Sequence, residues 1–251
     1  MKDRFTLWNI PVDRVNQEQA ISCMETFFER EGVDWIVTPN SEMLVNALSD
    51  TELKTIIQKA SLVIPDGIGL VYASRIMKQP LTQRVTGIDF LEKALEWLEK
   101  HGKGVFLLGG KPGETNENHI ANLAANEMTS QFPSLKIKGT HHGYFDSLEE
   151  DAIVRKIVDS QAEFLCVAMG SPKQEKFIYE NRNRLGNVRC AIGVGGSLDI
   201  WAGTVKRAPG FYQNHGLEWL YRIGKEPTRL KRAIKLPVFM AKVIMTKGKT
   251  K

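Results

Sequence analysis

Short apolar runs rich in β-branched residues alternate along the chain with longer amphipathic stretches. The runs are Trp35-Ile36-Val37-Thr38, Leu62-Val63-Ile64, Val105-Phe106-Leu107-Leu108, Phe164-Leu165-Cys166-Val167-Ala168 and Cys190-Ala191-Ile192-Gly193-Val194. Each predicts a strand buried on both faces, because a strand with one wet face would alternate apolar with polar residues. Most end in a polar or glycine-rich turn that opens a helix-like segment, over 41–59, 89–100, 114–131 and 171–184. Strand and helix in alternation predict an α/β fold: a mostly parallel, Rossmann-like sheet covered by helices on both faces. Residues 136–145 supply a candidate edge strand. No repeat, low-complexity linker or heptad interrupts the pattern.

In such a sheet, ligands collect beyond the carboxyl ends of the strands, where turns lead into helix N-termini with unpaired N–H groups. Four turns fit this description: Thr38-Pro39-Asn40, Pro65-Asp66-Gly67-Ile68-Gly69, Gly109-Gly110-Lys111-Pro112-Gly113 and Gly193-Val194-Gly195-Gly196-Ser197. Any one of them has an equally good structural explanation. Four along one edge predict a ligand that carries phosphate.

Several chemistries lack their residues. There is no G-x-x-x-x-G-K-[ST] loop and no G-x-S-x-G elbow, and residues 193–197 read G-x-G-G-S where a dinucleotide fingerprint needs G-x-G-x-x-G. No Asp-x-Asp pair is present to hold a divalent metal on a diphosphate. His141 and His142 are adjacent, and neighbours on a strand point to opposite faces, which argues against a metal pair. A bound diphosphate would therefore be neutralised by arginines, N–H groups and helix dipoles, with no metal and no cofactor. The three cysteines, Cys23, Cys166 and Cys190, stand far apart and read as packing residues in a reducing compartment.

The formal charge of +5 conceals an asymmetry. Residues 204–251 hold twelve Lys/Arg against two acids, or +10, which leaves −5 on residues 1–203. This divides the chain into an α/β body over 1–203 and a basic, helical C-terminal appendage over 204–251. The N-terminus lacks the apolar core of a signal peptide, and no run reaches the roughly 18 apolar residues of a spanning helix. The expected location is cytoplasmic. In the appendage, Leu217, Leu220 and Tyr221 form a helical stripe, and residues 236–245 are apolar apart from Lys242. A basic amphipathic element of this kind suits an anionic membrane surface, the alternatives being a helix packed on the body or a nucleic-acid arm. No aromatic stacking platform accompanies the charge, so nucleic acid is the weaker partner.

Two clusters stand out within the body. Asp66 follows an apolar strand and a proline and precedes Gly67, a position for a general base in the crevice, with the N-cap of the next helix as the alternative. Thr82 to Asp89 sets Arg84 beside Gly87, with Arg84 suited to a phosphate and Asp89 to a helix cap. Lys173 and Gln174, at the start of a helix after Gly170-Ser171-Pro172, are within reach of a phosphate or a sugar.

Taken in order, Thr38-Pro39-Asn40, Pro65-Asp66-Gly67, Arg84 with Gly87 and Asp89, Phe106 to Gly109, His142 to Phe145, Gly170 to Glu175, Gly193 to Ser197, Lys206 to Pro209 and Gly216 to Arg222 resemble the WecG/TagA/CpsF glycosyltransferase family. The likeness runs from about Leu7 to Met245. It implies inverting transfer of N-acetylmannosamine from UDP to N-acetylglucosamine on undecaprenyl diphosphate, in wall teichoic acid linkage-unit synthesis, at the inner face of the membrane. Another UDP-sugar donor, or a non-catalytic nucleotide-sugar binding protein, stays open, as does homo-oligomerisation. By the same likeness Asp66 is the base, and Thr38, Asn40, Arg84 and Gln174 surround the sugar and leaving group. Gly109, Gly110, Gly170, Lys173, Gly195, Gly196 and Asp199 fall on the nucleotide side. Arg222, Arg229 and Arg232 match arginines of an appendage that completes the site over the lipid diphosphate. Residues 210–215 depart from the pattern, being nearly neutral where relatives are basic.

Overall fold

The computed structural model describes residues 3–115, 118–225 and 234–249. Its centre is a six-stranded sheet of β3 (Asp34–Val37), β4 (Leu62–Val63), β5 (Gly104–Gly109), β6 (Lys136–His141), β7 (Phe164–Ala168) and β8 (Cys190–Gly193). The strand order is β4-β3-β8-β7-β5-β6, and every pairing is parallel. All five apolar runs of the sequence are in this sheet. Residues 136–141 add the edge strand, shorter than the predicted segment.

Both faces are covered, as parallel sheets require. On one side α1 (Gln17–Glu25), α5 (Gly87–Lys100), α6 (Ile120–Gln131) and α9 (Ser197–Trp201) pack on Ile36, Val105, Leu107, Phe164, Cys166 and Ile192. On the other, α2 (Ser41–Asn46), α3 (Thr51–Lys59), α4 (Ile68–Ile76), α7 (Glu150–Asp159) and α8 (Lys173–Asn181) pack on Trp35, Val37, Phe106, Leu108, Leu165, Val167 and Ala191. Successive strand residues alternate between the two layers, the period of two expected of a pleated strand. Cys166 and Cys190 are fully buried and their thiols are pushed up by burial, so they act as apolar packing groups.

Helix boundaries differ from the sequence expectation where capping decides them. The segment 41–59 is two helices, because Asp50 turns its carboxylate onto the Leu53 N–H at 2.9 Å and starts α3. The segment from 114 becomes helical only at Ile120, where His119 caps α6. Helix α5 begins at Gly87, two residues early. Thr86 is its cap, whereas Asp89 accepts the Thr86 hydroxyl at 2.5 Å.

The pattern of apolar runs missed an antiparallel hairpin, β1 (Arg4–Leu7) and β2 (Ile10–Asp13). Its two-residue turn holds Trp8 and Asn9 at φ of 55° and 63°, the positive values a type I′ turn needs. Trp8 is held there by its partners: its ring meets Phe239 at 5.4 Å and its Nε1 donates to Thr246 Oγ1 at 2.9 Å.

Those partners lie in the C-terminal segment, whose described residues include α10 (Gly210–Asn214), α11 (Glu218–Lys225) and α12 (Lys235–Lys249). Helix α12 crosses α2 and α4 and inserts Phe239 and Val243, both fully buried, into the second core layer. A boundary after residue 203 therefore separates the chain by charge but not by core. No helix among the described residues is long and apolar enough to cross a membrane. Removing the Phe239 ring leaves a cavity against Trp8 and α4, so Phe239→Ala should lower the free energy of unfolding by about 3 kcal/mol or more, read from urea denaturation.

Candidate active site

The turns after β3, β4, β5, β7 and β8 all open on the carboxyl edge of the sheet. The chain leaves β5 outward toward β6 but leaves β7 inward toward β8, and α2 and α9 depart from β3 and β8 onto opposite faces. These two reversals of direction open the crevices in which doubly wound sheets take ligands.

Asp66 stands in this edge, three residues beyond the last residue of β4 and half-buried. Gly67, not Asp66, is the N-cap of α4, and as a glycine it makes no side-chain cap. Its Oδ1 instead accepts the N–H of Gly87, the first residue of the 14-residue α5, at 3.2 Å. The positive end of that helix thus faces the carboxylate and fixes its orientation.

A continuous line of contacts joins Asp66 to the other sequence-predicted residues. A Cβ at Gly67 would fall 2.9 Å from the Asn40 Cα, and Asn40 is held by capping α2, its Oδ1 accepting the Met43 N–H at 3.0 Å. A Cβ at Gly87 would lie 3.4 Å from the Thr38 Oγ1, and that hydroxyl donates to the Gly193 carbonyl at 3.3 Å. A Cβ at Gly193 would approach the Gln174 Nε2 to 2.5 Å, and Gln174 Oε1 accepts the Gly195 N–H at 3.0 Å. Glycine at 67 and 193 is what lets these segments approach this closely, whereas Gly87 makes an ordinary contact. Thr38, Asn40, Asp66 and Gln174 are therefore brought to one site.

Arg84 also reaches it, with its guanidinium already engaged by protein groups. Nε donates to the Asp66 carbonyl at 2.7 Å, Nη2 to Glu218 Oε2 at 2.6 Å, and Nη1 stands 3.5 Å from the Gln213 carbonyl. The pair with Glu218 leaves the two side chains 19% and 13% exposed. A second strap from the C-terminal segment pairs Arg207 Nη2 with Asp89 Oδ1 at 2.5 Å, beside the start of α5.

The residues assigned to the nucleotide side gather along β5, β7 and β8. Gly109 and Gly110 have φ of 142° and 71°, and a Cβ at Gly109 would collide with the Ala168 carbonyl. Gly170, at φ 75°, accepts the Gln174 N–H through its carbonyl at 3.1 Å, and Lys173 is exposed at the start of α8. Gly195 and Gly196 follow β8, and the Asp199 carboxylate lies near Gly196. The Arg222 side chain, Arg229 and Arg232 lie outside the described residues.

Sequence reasoning gave no role to Glu175. Its side chain is buried at 2% exposure, and Oε1 accepts the Gln174 Nε2 at 2.7 Å, which sets the orientation of the Gln174 amide. Oε2 has no hydrogen-bond partner among the described residues, and burial pushes the carboxyl up, with Gln174 and Ser171 only partly offsetting it. Glu218 was missed as well, although an acid standing among twelve cations is a signal that it has a specific partner. Among the described residues, no group of three or more His, Cys, Asp or Glu is arranged to hold a metal ion.

The fold and site define a doubly wound α/β protein with a carboxylate, an amide and a hydroxyl converging at its topological switch. The chain belongs to the WecG/TagA/CpsF glycosyltransferase family, whose model matches residues 5–251. Relatives from Staphylococcus aureus strains MRSA252, MW2 and NCTC 8325 are each 33% identical over 250 residues, covering 99% of this chain and 95% of theirs. Each is named N-acetylglucosaminyldiphosphoundecaprenol N-acetyl-beta-D-mannosaminyltransferase.

Glu175 generates a test of the site's electrostatics. Its folded-state pKa lies above the unfolded value, so the neutral form is favoured on folding and stability is lost as pH rises through the folded pKa. Glu175→Gln should therefore gain stability relative to the parent as pH rises above about 4.3, the unfolded glutamate value, and lose that advantage in acid. Melting temperatures across a pH series check this.

Proposed function

We propose that this glycosyltransferase moves N-acetylmannosamine from UDP to the 4-hydroxyl of N-acetylglucosamine on undecaprenyl diphosphate, with inversion, in wall teichoic acid linkage-unit synthesis. The observation that carries the reading is the Asp66 carboxylate, aimed by the first N–H of α5 and joined through Gly87, Thr38 and Gly193 to Gln174. The names of the full-length relatives supply the substrates.

In this mechanism Asp66 accepts the proton of the acceptor hydroxyl as its oxygen bonds to the anomeric carbon. The bond from that carbon to the UDP oxygen breaks on the opposite side, and UDP leaves. Thr38, Asn40 and Gln174 orient the sugar. Arg84 and the N–H groups of the turns after β5, β7 and β8 receive the charge that develops on the diphosphate. The appendage brings Arg222, Arg229 and Arg232 to the lipid diphosphate.

The lipid substrate also calls for a place on the bilayer, and α12 suits it. The face opposite Phe239 and Val243 carries Ile234, Val238, Ala241 and Met245, all exposed at spacings of four, three and four, with Ile244 beside them. A surface helix is ordinarily apolar on one side only. The lysines at 235 and 242 flank the outer face, and each cation near anionic headgroups contributes about 1 kcal/mol.

Three measurements test the reading. Asp66→Asn should retain UDP binding while turnover on a short-chain lipid-diphosphate acceptor falls about 10²-fold or more, and parent-like turnover would remove Asp66 as the base. The same assay with a panel of UDP sugars and a chelator identifies the donor, and activity lost to the chelator would overturn metal-independent catalysis. Val238→Asp with Met245→Asp should weaken co-sedimentation with anionic vesicles about tenfold or more, leaving transfer to a water-soluble acceptor in place.

A further inference from the structure

We propose that Glu218 is a positioning residue that couples the docking of α11 to the alignment of Arg84 and Asp66. The proposal rests on the reading of Asp66 as the base. Residues 84–87 hold the Asp66 turn at three points: the Val85 N–H donates to the Pro65 carbonyl at 3.0 Å, Arg84 Nε to the Asp66 carbonyl at 2.7 Å, and the Gly87 N–H to Asp66 Oδ1 at 3.2 Å. Two of these grips are main-chain donors whose direction the fold fixes. The third depends on the Arg84 side chain, whose far end is held by Glu218, 134 residues away, at 2.6 Å and more loosely by the Gln213 carbonyl at 3.5 Å.

The placement of Glu218 is itself determined. Gly216, at φ 69°, sits where any Cβ would meet Ile68 at 2.6 Å, so the chain leading into α11 lies directly on the first residue of α4. Gln213 spans the same gap, its Nε2 donating to the Ala208 carbonyl at 2.6 Å and its own carbonyl facing Arg84. Seated α11 thus presents a carboxylate, in a segment otherwise rich in cations, to the Arg84 guanidinium, which donates to the main chain of Asp66. A carboxylate beside a diphosphate site is repulsive unless a cation offsets it, and Glu218 is paired with Arg84. The guanidinium is a rigid planar fork, so a carboxylate held at Nη2 restrains the direction in which Nε donates to Asp66. Seating of the tail and readiness of the base then become one event, and donor is not committed to reaction before the tail closes.

The test uses the full chain with Glu218→Gln, which keeps the shape and removes the charge, Glu218→Asp, Arg84→Gln and the double variant Arg84→Gln/Glu218→Gln. Glu218→Gln should lower kcat about tenfold or more with the KM of each substrate within roughly twofold of the parent. Glu218→Asp should recover part of the loss, and the double variant should be no slower than Arg84→Gln alone. Amide exchange without substrate should quicken about threefold or more across 65–67 and 85–87 in Glu218→Gln. Parent-like kcat, a defect confined to the acceptor KM, multiplied losses in the double variant or unchanged exchange would each overturn the proposal. A parent enzyme that transfers no sugar would instead remove the proposed function, and amide exchange still decides whether Glu218 governs the Asp66 turn.

Discussion

The parallel pairing of β3 with β8 is the constraint on which the rest depends. It is the single junction between the β3-β4 half of the sheet, which carries Thr38, Asn40 and Asp66, and the β5 to β8 half, which carries Gln174 and the glycine turns. Ile36 faces Ile192 and enters one core layer, while Trp35 faces Ala191 and enters the other. A slip of one residue would send each side chain to the wrong layer, so apolar burial fixes the register. Thr38 Oγ1 meets the Gly193 carbonyl just past the last paired residues, and the site inherits its spacing from the core.

Beyond that junction the site is built mostly of main chain. The N–H groups of Gly87 and Gly195 bond to Asp66 and Gln174, the Gly193 and Asp66 carbonyls accept from Thr38 and Arg84, and absent Cβ atoms allow the approach. Backbone donors positioned by strands and helices need little reorganisation when charge develops near them. The C-terminal segment adds the long side-chain contacts, Glu218 to Arg84 and Arg207 to Asp89, which fold a basic tail onto an acidic body.

The strands were legible because burial on both faces writes uninterrupted apolar runs, and the glycine turns because chain reversals restrict residue type. The hairpin of residues 4–13 was not, since its turn uses Trp8 and Asn9, stabilised by a ring and a hydroxyl more than 200 residues later. Helix starts at Gly87 and Ile120 depend on single caps, Thr86 and His119, that a propensity pattern does not weigh. Asp66 could be named from its strand end and from the family likeness. What aims it, an N–H 21 residues on, is a tertiary fact with no local signature. The same holds for Glu175, a carboxylate that reads as a surface residue of a helix until the sheet edge closes over it.

Helix α12 has a thermodynamic consequence. The backbone that exposes Ile234, Val238 and Met245 outward also drives Phe239 and Val243 into the core beneath α2 and α4. A partner that binds the outer face only while the inner face is docked adds RT ln(1 + [L]/Kd) to the stability of the fold. For such a partner, occupancy of that surface and integrity of the sheet above it are linked functions, and the chain's folded population reports where the molecule is.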